Sequence, residues 1–276
     1  MRFVFKDGEF DLSAGRRVIF GILNVTPDSF SDGGRHSGLA AAVEHALSME
    51  RDGADVIDVG GESTRPGAAM VSEEEEIRRV APVIEELKRR LRIPISVDTS
   101  KTAVAEEAFR AGAVILNDIS GLKGDPAMAG LAAEAGVGVI LMHRRGVSAD
   151  MQKLCHYDDV VEDVCRELGE SLKLAEAGGL SQERLAVDPG IGFAKNREQN
   201  LVLLRRIGEF GRFQLPVMIG VSRKSFLDGE VQERAAGTLA VELWCHEKGV
   251  QLVRTHEPGP LRRALAAWDL VCRWQP

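Results

Sequence analysis

The sequence predicts an α/β chain folded as a single (β/α)8 TIM barrel with a short N-terminal β-hairpin. Three observations carry this reading. Eight short, β-branched runs recur at residues 18–23, 56–59, 93–97, 113–116, 138–142, 185–187, 217–219 and 251–253. They are continuously apolar rather than alternating, as parallel strands buried on both faces require. Each is followed by a polar, glycine-containing loop and an amphipathic helical pattern, without a linker or low-complexity segment between units. The 276 residues then read as one domain, since a barrel of this kind takes about 250 residues. A doubly wound open sheet is the competing architecture. It usually carries a glycine-rich dinucleotide turn, but no G-x-G-x-x-G occurs here, and Gly190-Ile-Gly192 lacks the third glycine and the acidic partner.

Taken in order, residues 1–14 form the hairpin. Phe3-Val-Phe5 and Phe10-Asp-Leu12 flank the turn pair Asp7-Gly8, and the pair of strands is placed as a plug under the barrel. After the first barrel strand, Leu39, Ala42, Val43, Ala46 and Leu47 share one helix face. The next helix opens on Ser72-Glu-Glu-Glu75, a capping box with carboxylates in the first turn. Its inner face is Ile77, Val80, Ile84, Leu87 and Leu91, and Pro82 is expected to kink it. Ser100 is the expected cap of the third helix, and Asp125-Pro126 the cap and first-turn proline of the fourth. Val164, Leu168, Leu172 and Ile207 continue the pattern.

Composition narrows the function classes. The net charge of −7 argues against a nucleic-acid partner or an anionic membrane surface. The N-terminus is charged throughout, and no run reaches the roughly 18 apolar residues of a membrane span. The four cysteines, Cys155, Cys165, Cys245 and Cys272, have no C-x-x-C spacing. They read as reduced thiols of a cytoplasmic protein rather than as a zinc site.

In a barrel of this type the chemistry sits at the C-terminal ends of the strands. There the sequence places Asn24, Asp58, Asp98, Asn117-Asp118, His143-Arg144, Asp188, Ser222-Arg-Lys224, and Arg254 with His256. Any one of these is explained by a turn or a cap; eight polar endings on one rim point to a site. They divide by charge. Asp98, Asn117, Asp188 and Lys224 can read the edge of a planar heterocycle, accepting from ring N–H groups and donating to a carbonyl. Arg65, Arg254 and His256, with Asn24, can hold a multiply charged anion. A serine nucleophile is disfavoured, because Gly220-Val-Ser-Arg-Lys224 lacks the second glycine of a nucleophile elbow. His143 reads either as a general base or as a packed, hydrogen-bonded histidine.

The ordered motifs match a known family. Asn24-Val-Thr-Pro-Asp-Ser-Phe-Ser-Asp-Gly-Gly34, Asp58-Val-Gly-Gly-Glu-Ser-Thr-Arg-Pro-Gly67, Asp98-Thr-Ser-Lys101, Asn117-Asp-Ile-Ser-Gly121, Asp188-Pro-Gly-Ile-Gly-Phe193, Ser222-Arg-Lys224 and Arg254-Thr-His256 together resemble the dihydropteroate synthases, the sulfonamide targets of folate synthesis. The resemblance runs from about Ile19 to Val271 and implies condensation of 6-hydroxymethyl-7,8-dihydropterin pyrophosphate with p-aminobenzoate. It implies pterin contacts at Asp98, Asn117, Asp188 and Lys224, with Ile119, Met142 and the plane of Arg254 packing on the ring. It implies pyrophosphate contacts at Asn24, Arg65, Arg254 and His256, with Mg²⁺ at Asn24. For p-aminobenzoate it implies Thr64, Arg65, Pro66, Phe193, Ser222 and Lys224. Asp98, Lys224, Arg254 and Asp32 are then the expected catalytic residues.

The loop after Asn24 reads as a flap hinged at Pro27 and Gly33-Gly34. Phe30 of this lid is expected to cover p-aminobenzoate and Asp32 to favour the developing cation, while Asp28 can equally just solvate the turn. The resemblance also implies a homodimer through late helices, where Leu239, Val241, Leu243 and Trp244 suit either an interface or the core. Departures are small: Glu257-Pro258 stands after His256 where the family usually has Asp and an aliphatic residue, and Pro258 suits a helix's first turn. The competing functions are a pterin-binding methyltransferase domain and a non-catalytic pterin-binding paralogue. The Ser-Thr-Arg-Pro loop and Ser222-Arg-Lys224 argue against the first, and retention of Asn24, Arg65, Arg254 and His256 against the second.

Overall fold

The structure, a computed structural model, describes residues 1–25, 34–65, 67–68, 70–227, 229–231 and 233–273; the side chains of Ala14, residues 34–37 and Arg273 are outside that description. Two strands, β1 (Arg2–Phe5) and β2 (Gly8–Asp11), pair antiparallel as the N-terminal hairpin. Eight parallel strands follow: β3 (Val18–Asn24), β4 (Val56–Gly60), β5 (Ile95–Asp98), β6 (Ile115–Asp118), β7 (Gly138–Met142), β8 (Leu185–Asp188), β9 (Met218–Ile219) and β10 (Leu252–Thr255). Their hydrogen-bonded order is β8-β7-β6-β5-β4-β3-β10-β9. A single parallel bridge between Val187 and Val217 joins the two ends and closes the barrel.

The helices alternate with the strands: α1 (Gly34–Arg51), α2 (Glu73–Arg90), α3 (Thr102–Ala111), α4 (Met128–Ala135), α5 (Val160–Ala177), α6 (Arg197–Arg205), α7 (Arg234–Glu247) and α8 (Pro258–Arg273). Helix α2 starts as expected, with the Ser72 hydroxyl accepting from the Glu75 amide, and it runs continuously through Pro82. Pro258 is the first residue of α8. Two expected helix starts differ. Ser100 does not cap α3, whose flanking residue is Lys101; the Thr99 hydroxyl accepts the Lys101 amide instead. Asp125 accepts from the Ala127 amide in a turn of its own, so α4 begins only at Met128. Ile207 belongs to a 3-10 segment, Ile207–Phe213, rather than to an α-helix.

Two buried layers follow from the two-residue period of the strands. Outward-facing side chains such as Ile19, Ile57, Val97, Leu116, Leu141 and Val253 pack under the helices in one extended cluster. Inward-facing Phe20, Val56, Ile115, Ile140, Met218 and Leu252 form a second cluster at the bottom of the barrel. Phe3, Phe5, Phe10 and Leu12 of the hairpin belong to that same cluster, with Phe3 fully buried. Gly138 admits them: a Cβ there would stand 2.8 Å from the Phe3 ring. The hairpin side chains and the inward-facing strand residues thus share one buried cluster.

Candidate active site

Two residues further along the same inward faces, the chemistry inverts. Asp58 follows Val56, Asn117 follows Ile115, Asp188 follows Ala186, Arg254 follows Leu252, and Asp98 follows Ser96. Lateral register places Asn24 beside Gly60, Gly60 beside Asp98, and Asp98 beside Asn117. Ile119 and Met142, both buried, stand at the same end of the barrel.

Arg254 is the centre of this layer. Its Nε donates to Asp58 Oδ2 at 2.6 Å and its Nη2 to Asp98 Oδ2 at 2.7 Å. Asn117 Nδ2 donates to the same Asp58 oxygen at 3.1 Å. Among the described residues, the other oxygens, Asp58 Oδ1 and Asp98 Oδ1, are buried and have no hydrogen-bond partner. Burial pushes the Asp98 carboxyl up, against the pull of Arg254. Asp188 is likewise raised by burial, while the Gly190 amide donating to its Oδ1 at 2.7 Å and the charge of Lys224 work the other way. Unsatisfied buried acceptors are rare and costly in proteins, so this arrangement is set up to receive N–H donors.

Lys224 closes the layer. Its Nζ donates to the Ile191 carbonyl and lies 4.4 Å above the Phe193 ring. Burial lowers its pKa to about 8, although Asp188 opposes the shift. The preceding Arg223 takes a left-handed φ of 58°, with its amide donating to Thr238 Oγ1 at 3.1 Å. Ser222 Oγ lies 2.9 Å from His256 Nδ1 and accepts the His256 amide at 3.2 Å. The His256 imidazole is pushed down to about 3, first by burial and then by Arg254, Arg223 and Arg65. It is thus neutral near pH 7, with Nδ1 hydrogen-bonded to the Ser222 hydroxyl.

Arg65 is exposed and Thr64 half-buried. Thr64 lines a cavity of about 50 Å³ together with Asp98, Ile119 and Arg144. A larger cavity of about 240 Å³ lies behind Ser222, between α7 and α8, and shares with the expected site residues only Ser222. Asn24 is exposed at the end of β3. Phe30, Asp32 and Pro66 lie outside the described residues. His143 resolves to the packed reading: it is 3% exposed, with its ring between Glu167 and Lys195.

The sequence gives no binding role to two residues, Asp58 among the polar strand ends and Lys101 at the end of the Asp98-Thr-Ser-Lys101 motif. Asp58 anchors Arg254, and its position at a strand end ahead of Gly60-Gly61 was the available signal. Lys101 Nζ donates to Glu62, to the Val71 carbonyl at 2.8 Å and to Glu76 Oε2 at 2.5 Å, tying the base of the 62–71 loop to α2.

A model of pterin-binding enzymes matches residues 20–256. The chain is 46% identical over 260 residues to the dihydropteroate synthase of Bacillus subtilis, covering 93% of this chain and 89% of that one. It superposes with a TM-score of 0.92 on the dihydropteroate synthase of Xanthomonas albilineans with 4-aminobenzoic acid, at 40% identity and 99% coverage of both chains. The same enzyme in complex with 7,8-dihydropteroate gives 0.89 at 38% identity, covering 100% of both. The chain belongs to the dihydropteroate synthase family of pterin-binding enzymes.

Proposed function

We propose that the charged layer at the barrel mouth is the site of the dihydropteroate synthase reaction. The chain is a transferase of folate biosynthesis: it joins 6-hydroxymethyl-7,8-dihydropterin pyrophosphate to p-aminobenzoate, forming 7,8-dihydropteroate and releasing pyrophosphate. The observation that carries the placement is the pair of buried acceptor oxygens, Asp58 Oδ1 and Asp98 Oδ1, held open beside Asn117, Asp188 and Lys224. A pterin offers amino and ring N–H donors to such acceptors and a ring carbonyl to Lys224. Ile119 and Met142 supply apolar walls.

The reaction breaks the bond from the exocyclic methylene to the pyrophosphate oxygen and forms one to the arylamine nitrogen, which then loses a proton. The arylamine is neutral at pH 7, so no strong base is needed. The pterin ring spreads the developing cation, and Asp98 and Asp188 below it favour that charge. Arg254, fixed by two carboxylates, Arg65 and His256 take up the charge of the departing pyrophosphate. Catalysis is largely dissociative, carried by positioning and electrostatics. Thr64, Arg65, Pro66, Phe193, Ser222, Lys224 and Phe30 form the p-aminobenzoate side, with Asp32 closing from the lid.

Mg²⁺ is assigned to Asn24. Among the described residues no group of three or more His, Cys, Asp or Glu can hold a metal. A single amide oxygen at the open end of β3 suits a hard cation that keeps its waters and takes the rest of its ligands from substrate phosphates. Bound there, Mg²⁺ supplies charge neutralisation to the pyrophosphate.

A homodimer and a cytoplasmic location complete the proposal. Leu239, Val241 and Leu243 are half-buried and pack against the core. Trp244 is 44% exposed, and Leu270 and Val271 on α8 are 69% and 77% exposed; these are the residues a second copy would cover. Four unpaired cysteines support a reducing compartment, and no helix among the described residues is long and apolar enough to cross a membrane. Turnover with both substrates, with and without Mg²⁺, tests the function. Metal-stimulated dihydropteroate formation is expected. Absence of that product, or pyrophosphate release at one rate whether or not p-aminobenzoate is present, would overturn it.

A further inference from the structure

A buried chain of hydrogen bonds behind the site is not used by the reaction as described. Lys195 is 3% exposed, yet its ammonium has three acceptors: His143 Nδ1 at 3.0 Å, the Gly190 carbonyl at 3.0 Å and the Phe193 carbonyl at 2.9 Å. Burial lowers its pKa to about 7, and in its protonated form all three N–H groups meet these acceptors. His143 Nε2 in turn lies 3.0 Å from Glu167 Oε2. One neutral tautomer satisfies both contacts: Nε2–H donates to Glu167, and Nδ1 accepts from Lys195.

The chain returns to the loop it starts from. Arg145 pairs with Glu167 and stacks on the Tyr157 ring at 3.9 Å. The Tyr157 hydroxyl donates to the Ala194 carbonyl at 3.0 Å. Carbonyls 190, 193 and 194 are thus all held from behind. The loop needs this support. Ala194 has a left-handed φ of 50°, and Gly190 passes so close to β7 that a Cβ there would stand 1.9 Å from the His143 carbonyl oxygen. Such conformations persist only where their surroundings over-determine them.

The front of the same loop faces the substrate pocket. Ile191 offers its carbonyl to Lys224, and the Phe193 ring lies under the Lys224 ammonium. A side chain needed only to fill space here would be apolar, because burying a charge carries a desolvation cost that an apolar side chain avoids.

We infer that Lys195, backed by His143 and Glu167, is a positioning residue that sets Phe193 for p-aminobenzoate. The inference rests on the placement of p-aminobenzoate beside Phe193 given above. Lys195→Met keeps the volume and removes the donors; Tyr157→Phe removes one donor from the same loop and leaves the ring. The expected result is a KM for p-aminobenzoate raised about tenfold in the first and about twofold to threefold in the second, with kcat and pterin pyrophosphate affinity within about twofold. In a Phe193→Ala background, Lys195→Met should add little, since both act on one contact. An unchanged KM for p-aminobenzoate, effects that multiply in the double variant, or a parallel loss of kcat and melting temperature would overturn the inference. If Lys195→Met fails to fold, Tyr157→Phe decides alone. A wild-type chain that forms no dihydropteroate would instead overturn the functional reading itself.

Discussion

The bottom and top of the barrel interior are built from the same strands, two residues apart, and they do opposite things. At the bottom, Phe20, Val56, Ile115, Ile140, Met218 and Leu252 close around the hairpin phenylalanines in one apolar cluster. At the top, Asp58, Asp98, Asn117, Asp188 and Arg254 face one another, and two carboxylate oxygens have no partner among the described residues. The apolar layer gains its stability from burial and lets the strands tolerate a charged layer above. The top layer gives up stability to keep acceptors open, as functional sites do. Substitutions in the two layers should therefore fail in different ways.

The largest effect is expected from Arg254→Ala. It removes the cation between Asp58 and Asp98 and a ligand of the departing anion. We expect kcat/KM to fall about 10³-fold, about 4 kcal/mol of transition-state stabilisation, while far-ultraviolet circular dichroism stays that of a folded barrel. A fall of less than tenfold would show that Arg254 serves the scaffold alone. At the bottom, Phe3→Ala should cost about 3 kcal/mol of stability, read by urea denaturation, with kcat/KM of the folded fraction within about twofold. If activity fell as far as stability, the two layers would not be separable.

A smaller, graded effect is expected from pH. The Lys224 pKa is lowered to about 8, below the roughly 10.4 of a free lysine. Below about pH 8 the ammonium is charged in both folded and unfolded chains, and its burial penalty is fully present. As pH rises from about 8 towards 10.4 the folded chain loses this proton first, so the penalty is relieved and the Lys224 contribution to stability improves. Function runs the other way: pterin and p-aminobenzoate affinity, measured by calorimetry, should weaken as pH rises through about 8. Affinity constant from pH 7 to 9.5 would remove Lys224 from the binding charge.

Much of this was legible in the chain. The barrel was, because continuous apolar runs alternating with amphipathic patterns have few other packings. The strand ends were less so. Asp98, Asn117-Asp118 and Arg254-Thr255 lie inside β5, β6 and β10, beyond where the apolar runs stop. Polar side chains there face the barrel interior while their backbones stay in the ladder, which composition alone does not reveal. Ser100 looked like a cap, but Thr99 one residue earlier has the geometry to take the Lys101 amide.

The sequence by itself determined the alternation of strand and helix, the apolar plug, and the identity of the groups gathered on one rim, since these follow from local period and from motif order. Only the tertiary structure decided which of those groups touch. Asp58 and Arg254 are 196 residues apart in the chain and 2.6 Å apart in space; Lys195 reaches His143 across 52 residues. Such pairings, and the charge states they impose on His256 and Lys224, depend on barrel closure and on the loss of water around each group. Neither quantity is carried by the residues one at a time.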